Sequence, residues 1–441
     1  ADTAIAFLIY WFFSQKEKLK QLGATFEISN LKNQNYEKRG ATPKETISKT
    51  DSPMNRSDIR KMGYYAQKIR GQEKLAESEK FVSEESTNVS EQFGIEGVFR
   101  RIQNNLPTIL ASVFYLSPVV ILDSALWGQV ESLGILFTLV AVILLFYKKP
   151  TLATVIFTTG VLMKLQNIIF IPLYFLFIFR YFGTSASLST GLRTLARSLV
   201  AAGAAFLFIS LPFAIANNMD KVFYLLTVNN DYFPWMSLNA HNLWWIVAGA
   251  KGMTTIDKIT VLGILNAKTI GLLIFSAWYF LLCLLLFLRP TPRNFLLTLV
   301  LSIFAFFLFT TQSHERYSYP VVVLLLFLYP FLQDQVAQKS RFSIRYYFWI
   351  LYAILTLTIF FNIHTGLVVN YPQNGFLPLT RMVTSGTTTL NSYLLILLFF
   401  LLLPFVFSQI SKLFLDLCLF LFVSSISILN LPYYLGGKLS L

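Results

Sequence analysis

The sequence contains few charged residues and very little cysteine or histidine. Charged side chains make up 13% of the 441 residues, with two cysteines and three histidines. Cys283 and Cys418 lie in separate apolar stretches without Cys-x-x-Cys spacing, so they predict no disulfide and are interpreted as buried small hydrophobic residues. His241, His314 and His364 are far apart and lack acidic partners at ligand spacing, which argues against a metal site. We therefore predict neither a metal nor another cofactor.

Apolar residues, by contrast, are abundant enough to define the class of protein. They make up 55% of the chain, including 43 phenylalanines, which is far too apolar for a soluble multidomain protein. A helix needs roughly 20 mainly apolar residues to cross a bilayer. The sequence therefore predicts an all-α fold, a polytopic transmembrane helix bundle of about 11 to 12 spans. The candidate spans are 106–122, 133–147, 151–163, 168–182, 198–216, 268–288, 294–311, 319–333, 346–361, 389–407 and 413–430.

Three regions differ in composition. Residues 1–13 are apolar but cover only about 20 Å as a helix, so we interpret them as a truncated transmembrane helix and the chain as a fragment. Residues 14–105 are rich in Lys, Glu, Ser, Asn and Gln, which predicts a hydrophilic, largely disordered cytoplasmic insertion. Residues 106–441 form the predicted multi-span domain, with a long extracytoplasmic loop at 217–267.

The distribution of basic residues predicts the orientation of the bundle. If 14–105 is cytoplasmic, alternating spans place most of the remaining Lys and Arg on the same side, as the positive-inside rule requires. The net charge of +14 then belongs mostly to a surface that faces anionic lipids, so membrane lipids are expected partners and nucleic acid is not. The opposite face receives the loops 123–132, 164–167, 217–267, 311–319 and 362–388.

The first of these outer loops carries two carboxylates and an indole. Asp123, Trp127 and Glu131 recur at i, i+4 and i+8, which would align them along one helical face. Ser124 or Asp123 could instead cap a helix, and for Asp123 the two interpretations are evenly balanced.

A second outer loop contains Lys164 and Gln166 between two apolar segments. Lys164 either extends its amine to the membrane interface or binds an anion. Anion binding is favoured because the neighbouring loops are acidic or neutral.

The long loop contains amides beside aromatic rings. Asn239, His241 and Asn242 offer donors and acceptors, and flat rings offer an apolar platform, the combination that sugar binding requires. For Trp244 and Trp245, however, a membrane-interface belt is the favoured interpretation.

The stretch His314–Glu–Arg–Tyr317 places ionisable groups between two apolar runs, where they are unfavourable unless paired, hydrated or bound to a ligand. Arg316 carries the planar fork that best matches a phosphate, and a lipid phosphate is the natural partner. His314 could add a hydrogen bond to that anion, while Glu315 could hold Arg316 or His314 in place. The alternative is a structural ion pair between Glu315 and Arg316.

Four motifs in this order resemble the prokaryotic relatives of GPI mannosyltransferase II, which belong to the GT-C class of glycosyltransferases. They are Asp123–Ser132, Lys164–Gln166, Ser237–Trp245 and His314–Tyr317, and the resemblance covers 106 to about 335 well and 1–13 weakly. It implies a GT-C type bundle in the prokaryotic plasma membrane rather than the endoplasmic reticulum, with an extracytoplasmic active face. The implied donor is polyprenyl-phosphate-mannose and the implied acceptor a glycolipid or glycan. A nucleotide sugar is not implied, and the sequence has no Walker loop or Rossmann fingerprint.

The resulting prediction is an inverting mannosyltransferase. Asp123 and Glu131 are the candidate catalytic residues, and Lys164, His314 and Arg316 the candidate ligands of the donor phosphate. The remaining candidates for substrate binding are Trp127, Gln129, Gln166, Asn239, His241, Asn242, Glu315 and Tyr317.

Two features depart from the family pattern. The acidic residue of the first outer loop, taken as the family's catalytic base, would precede residue 1, and the insertion 14–105 is unusually long. A lipid-carrier flippase or transporter is the alternative function, although no internal repeat is evident and the polar residues cluster at one face. An inactive membrane scaffold is a third.

Overall fold

The computed structural model describes residues 1–22, 105–184, 187–227, 232–261, 263, 265–332 and 344–406. Apart from 105–109, these residues belong to one compact unit, Ala1–Thr25 with Leu110–Leu441. Most of the predicted insertion 14–105 and the predicted span 413–430 lie outside the described residues.

The described part of the chain is about 80% helical with little sheet. Its α-helices are α1 Asp2–Ser14, α2 Lys16–Gln21, α3 Leu106–Tyr115, α4 Pro118–Val120, α5 Glu131–Phe146, α6 Pro150–Met163, α7 Ile171–Thr184, α8 Leu188–Ile215, α9 Met219–Thr227, α10 Leu243–Val247, α11 Ala267–Leu288, α12 Pro292–Phe309, α13 Tyr319–Leu328, α14 Ile344–Asn370, α15 Leu377–Thr380 and α16 Ser385–Val406. A π-helix runs over Ile121–Leu126, and 3-10 turns occupy Leu165–Phe170, Gly252–Thr254, Glu315–Ser318, Tyr329–Phe331 and Pro372–Asn374. The strands β1 Thr260–Val261 and β2 Leu265–Asn266 pair antiparallel.

Seven helical segments of the described chain are long and apolar enough to cross a membrane, which supports a multi-pass membrane protein built as an all-α helical bundle. They are Leu106–Leu126, Leu165–Gly183, Leu188–Ile215, Ala267–Leu288, Pro292–Phe309, Tyr346–Asn370 and Ser385–Phe405. The apolar helices α1, α5 and α6 are shorter, with 13, 16 and 14 residues. The predicted helical class is therefore confirmed, whereas the GT-C type stays a prediction.

The centre of the bundle is formed by α12 and α13. Buried residues make up 83% of the apolar window of α12, and every residue of α13 is buried. In α8 and α11 the buried share is only 17%, and these two helices present large apolar side chains to their surroundings. Lipid chains are the solvent that suits such surfaces, because water would leave a wide apolar area hydrated.

Contacts between helix termini sort the helix ends into two groups. At one end, Trp11 stacks on Tyr147 at 6.0 Å between ring centroids, and Arg180 Nε donates to the Phe287 carbonyl at 2.9 Å. At the other end, the Tyr319 hydroxyl donates to Asp2 at 3.3 Å. The second group includes the outer loops predicted to share one face. Which end faces the cytoplasm remains a prediction.

Candidate active site

Two antiparallel helices bring the first ion pair together. Glu131 opens α5 and Lys164 follows the last residue of α6, so the turn between the helices returns both to the same end of the bundle. Lys164 Nζ lies 2.6 Å from Glu131 Oε1. Gly134 permits this close packing, because a Cβ there would stand 2.8 Å from Cβ of Lys164. The amine therefore neither extends freely to the interface nor lies unpaired. Its partner is a buried carboxylate.

Arg316 reaches the same carboxylate from the 3-10 turn between α12 and α13. Its Nε lies 3.0 Å from Glu131 Oε1, although the N–H has no hydrogen-bond geometry, so this contact is ionic. One Arg316 terminal nitrogen donates to Glu315 Oε1 at 3.2 Å. The side chain of Glu131 is fully buried, whereas those of Lys164 and Arg316 remain 20% and 22% exposed. Two partly exposed cations thus converge on one buried anion. The Glu315–Arg316 ion pair, which was the alternative interpretation of this stretch, is present within the larger cluster.

Asp123 lies beside this cluster without a hydrogen bond. It is fully buried in the π-helix, and neither carboxylate oxygen has a hydrogen-bond partner among the described residues. It interacts electrostatically with Glu131, Arg316, Lys164 and Glu315. A buried carboxylate without hydrogen bonds is destabilising, which makes Asp123 a candidate for contact with a ligand.

The predicted continuous helical face through Asp123, Trp127 and Glu131 is wrong. The π-helix ends at Leu126, the intervening residues form a turn, and α5 starts again at Glu131. The capping interpretation is also wrong, since no side chain caps the π-helix or α5. Gln129 is held by its main chain, whose N–H donates to the Asp123 carbonyl at 2.9 Å.

Burial and neighbouring charge set the protonation of the His314–Glu315 pair. Burial, with Arg316 and Lys164 adding to it, lowers the pKa of His314 to about 3, so the imidazole is neutral at physiological pH. Burial raises the pKa of Glu315 to about 7, although Arg316 opposes the shift. The 4.0 Å approach of His314 Nδ1 to Glu315 Oε2 is consequently not an ion pair. His314 offers hydrogen bonds to a ligand, while Lys164 and Arg316 offer charge.

Gln166 and Tyr317 bind each other at the edge of the cluster. Gln166 Nε2 donates to the Tyr317 carbonyl at 3.1 Å, which joins the turn after α6 to the turn after α12. The Tyr317 ring lies against Phe306 and, at 5.2 Å between centroids, against His314. Both residues therefore help to position the cluster.

The three predicted sugar-binding residues of the long loop are used for internal contacts. Asn242 accepts from Trp245 N and donates to the Phe307 carbonyl at 3.2 Å, so its amide caps and anchors α10. His241 is fully buried beside Asn391, and burial lowers its pKa to about 3. Asn239 is buried and its backbone pairs with His314 as an isolated bridge. Among these three, only Asn239 contacts the stretch that carries Arg316.

The interfacial-belt interpretation of Trp244 and Trp245 is wrong. Their exposed fractions are only 1% and 7%, and both indoles donate inside the protein. Trp244 Nε1 reaches the Phe309 carbonyl at 2.7 Å, and Trp245 Nε1 reaches Thr388 Oγ1 at 3.0 Å. They attach the long loop to α12 and α16.

Sequence reasoning missed Asp257, a buried acidic residue that anchors the long loop. Asp257 is fully buried and accepts hydrogen bonds from Thr311 Oγ1 at 2.9 Å and Gln312 Nε2 at 2.7 Å. These bonds attach the long loop to the segment between α12 and α13, which we call the site loop. The run of polar residues before His314 was a usable signal for such an acceptor, because buried hydrogen-bond donors need a partner.

A second element that sequence reasoning missed is Asn362, in the middle of an apolar helix. Its Nδ2 donates to the Glu315 carbonyl at 3.1 Å, and its Oδ1 accepts from the backbone N–H of His241. An amide within a candidate span was the available signal.

No family model matches this chain, and a search of curated proteins found no significant relative. Within the described residues no group of three or more His, Cys, Asp or Glu side chains is arranged to hold a metal ion. The arrangement consists of an unpartnered buried carboxylate, a neutral imidazole and two cations that share one buried anion. Chemically, it is suited to proton transfer beside an anionic ligand.

Proposed function

We propose that this chain is a membrane glycosyltransferase that moves mannose, or a similar hexose, from a polyprenyl-phosphate carrier to a hydroxyl of a glycolipid or glycan. The observation that carries the proposal is the meeting of Lys164 and Arg316 at Glu131, beside the unpartnered Asp123. The four-motif resemblance to prokaryotic relatives of GPI mannosyltransferase II supports the same class, and we propose that the bundle is of GT-C type.

The chemistry needs a base and a stabilised leaving group. The acceptor hydroxyl loses its proton to Asp123 as its oxygen forms a bond with the anomeric carbon of the sugar. The bond between that carbon and the phosphate oxygen breaks, and its electron pair stays on the departing polyprenyl phosphate. Attack opposite the leaving group inverts the anomeric centre. Atoms and charge balance without a metal or a nucleotide.

Lys164 and Arg316 would stabilise the negative charge that develops on the departing phosphate. The donor is a phosphodiester and the product a phosphomonoester, so the transition state carries more charge on the phosphate oxygens than the bound donor does. Cations placed before the reaction begins contribute most in such a site. Their partial exposure leaves each cation accessible to a second anion while Glu131 holds its position.

His314 and Glu131 have supporting roles in this scheme. His314 is neutral, so it donates a hydrogen bond to the phosphate or a sugar hydroxyl without adding charge. Glu131 is fully buried and holds Lys164 and Arg316 next to each other through its Oε1 atom. We assign it to positioning the cations, whereas Asp123 takes the proton.

Trp127 and Gln129 are proposed to bind the sugar. They follow the π-helix directly, and both side chains are half-buried. Trp127 supplies an apolar ring and Gln129 an amide, the two kinds of group that a pyranose requires. We propose that Gln166, Glu315 and Tyr317 support this sugar site, and we leave His241 and Asn242 to the anchoring of the loop.

The decisive experiment measures transfer in liposomes. The purified chain is mixed with polyprenyl-phosphate-[³H]mannose and a glycolipid extract, and radioactivity is followed from the donor into other lipids or glycans. We expect Asp123→Asn to lower the rate about 10²- to 10⁴-fold. Arg316→Ala is expected to lower it about 10²-fold or more. Arg193→Ala, an exposed arginine at the other end, serves as the matched control and should leave the rate unchanged.

An Arg316→Ala protein that retains most of the transfer rate would contradict the phosphate role. The flippase alternative is tested in the same liposomes by following movement of the labelled carrier between leaflets. Carrier translocation without any transfer would overturn the proposed enzyme. The clustering of the charged residues at one end of the bundle favours transfer over translocation, since a carrier site is expected near mid-membrane.

A further inference from the structure

One face of α14 contacts the site although its residues belong to none of the four motifs. Asn362 and Gly366 are four residues apart, so they lie one above the other on that helix. Both contact Glu315, the residue whose side chain binds Arg316. The two contacts involve different parts of Glu315, its main chain and its side chain.

Gly366 gives space to the side chain of Glu315. A Cβ at this position would stand 2.5 Å from Glu315 Cγ, 2.8 Å from Glu315 Cδ and 3.1 Å from the Trp127 ring. The first two separations are shorter than packed carbon atoms allow, so any larger residue must displace the carboxylate. Glycine within a helix is less stable than alanine because it loses more backbone freedom on folding. Its presence here is therefore explained by the close approach of Glu315.

Asn362 fixes the backbone of the same residue. Its amide nitrogen donates to the Glu315 carbonyl at 3.1 Å while its oxygen accepts from His241 N–H. Asn362 is fully buried, and a buried amide in an apolar helix is favourable only when both ends are bonded. The side chain thus joins the site loop to the long loop through α14.

We infer that Asn362 and Gly366 form a seat for Glu315 that positions the Arg316 guanidinium. This inference rests on the proposed function and adds two positioning residues to it. Glu315 Oε1 accepts from Arg316 at 3.2 Å, so the direction of the guanidinium depends on where that carboxylate lies. We assign neither seat residue a contact with the substrate. Each acts through Glu315.

The central test is a double-mutant cycle between positions 366 and 315. Gly366→Ala alone should lower kcat about 10- to 100-fold, since a misplacement of about 1 Å can have this effect. The KM for the polyprenyl-phosphate-mannose donor should change less than kcat, because charge on the phosphate grows in the transition state. In the Glu315→Ala background Cγ and Cδ of Glu315 are gone and only the 3.1 Å approach to the Trp127 ring remains, so adding Gly366→Ala should change kcat by less than about twofold.

Gly203→Ala is the matched control for this substitution. Gly203 is also a helical glycine, in α8, but a Cβ there would have no heavy atom within 4 Å. It should leave kcat and the melting temperature unchanged or slightly raise the latter. Equal losses of kcat from Gly366→Ala in both backgrounds would overturn the seat, because the effect would then not pass through Glu315.

For Asn362, the other seat residue, Asn391 provides the matched control, because both are buried amides that contact His241. Asn391 donates to the Thr358 carbonyl at 3.1 Å and contacts His241, but it makes no contact with Glu315. Asn362→Leu and Asn391→Leu should both lower the melting temperature, whereas only Asn362→Leu should lower kcat, by about tenfold. A loss of kcat of the same size in Asn391→Leu would show a merely structural effect and contradict the inference.

Melting temperatures separate the failure of the seat from the failure of the proposed function. Gly366→Ala should lower the melting temperature in the wild-type background and change it little in the Glu315→Ala background. That coupling is measurable without any substrate. If it appears in a protein that transfers no sugar, the seat stands and the transferase proposal fails. If wild-type transfer is robust and the coupling is absent, the seat is refuted and the transferase stands.

Discussion

The two ends of the helix bundle use the same kinds of charged residue in opposite ways. Lys148, Lys149 and Arg193 are exposed, and Arg180 lies over the Phe287 ring at 4.4 Å. At the other end, Lys164 and Arg316 pair with a carboxylate that has no exposed surface. Exposed cations at a membrane surface need no partner in the protein. In the buried cluster the loss of one residue leaves another charge without its partner. The proposed function therefore lies at this end of the bundle.

The comparison also separates two uses of burial within the site. Glu131 is buried with two cations, whereas Asp123 is buried with no hydrogen bond. Direct pairing offsets part of the desolvation cost of Glu131, whereas Asp123 interacts with the same cations only electrostatically and without a hydrogen bond. In the proposed function the first carboxylate therefore holds the cations in place and the second takes the proton.

The largest effect that would test this contrast is the removal of Glu131. Glu131→Ala leaves Lys164 and Arg316 without their shared anion, and breaking a buried pair costs about 3 kcal/mol or more. We expect the free energy of unfolding in detergent to fall by about that amount, and sugar transfer to fall to background. Denaturant titration and the liposome assay measure the two quantities. Unchanged stability would mean that the cluster is as weakly coupled as the exposed end.

The stability of the protein should depend on pH through the buried carboxyl of Glu315. Burial raises the pKa of this carboxyl to about 7 from its ordinary value of 4.5, so the folded protein binds a proton more tightly than the unfolded chain. The resulting stabilisation is complete below pH 4.5 and is lost as the pH rises through 7. The melting temperature of the wild type should therefore fall relative to that of Glu315→Gln between pH 5 and pH 8. Parallel curves for the two proteins would show that Glu315 is not buried as described.

The third effect is smaller and concerns an anchor outside the ionic cluster. Asn242 caps α10 and donates to the Phe307 carbonyl, so Asn242→Ala should lower the free energy of unfolding by about 1–2 kcal/mol. Transfer per folded molecule should stay close to that of the wild type. A selective loss of transfer with normal stability would restore Asn242 as a sugar ligand.

The class of fold was readable from the sequence because apolar run length is a local property. Predicted spans such as 268–288 and 294–311 correspond closely to α11 and α12. The break between Asp123 and Glu131 was not readable from the sequence. The i, i+4, i+8 spacing is the same whether one helix continues or, as here, a π-helix ends and a turn leads into the next helix. Local spacing describes a face only while the helix continues.

The candidate site was predictable in its members and less so in its contacts. Lys164, Arg316, Glu131 and Asp123 were all identified as rare ionisable residues on one face, and the structure brings them together. The sharing of Glu131 by two cations depends on tertiary packing that no local pattern encodes. Asn362 and Gly366 were missed for the same reason, because their partner Glu315 lies 47 and 51 residues away in sequence.

The smallest expected effect comes from the exposed end and completes the comparison. Lys149 is exposed between α5 and α6, and the structure describes no acidic partner for it. Lys149→Ala should change the free energy of unfolding by no more than about 0.5 kcal/mol, because exposed surface substitutions rarely do more. Lys164→Ala, at the far end of the same α6 helix, is the matched variant and should destabilise by several times that amount. If both lysines had equal effects, burial at the site end would not distinguish the two ends, and the assignment of function to the ionic cluster would lose its physical basis.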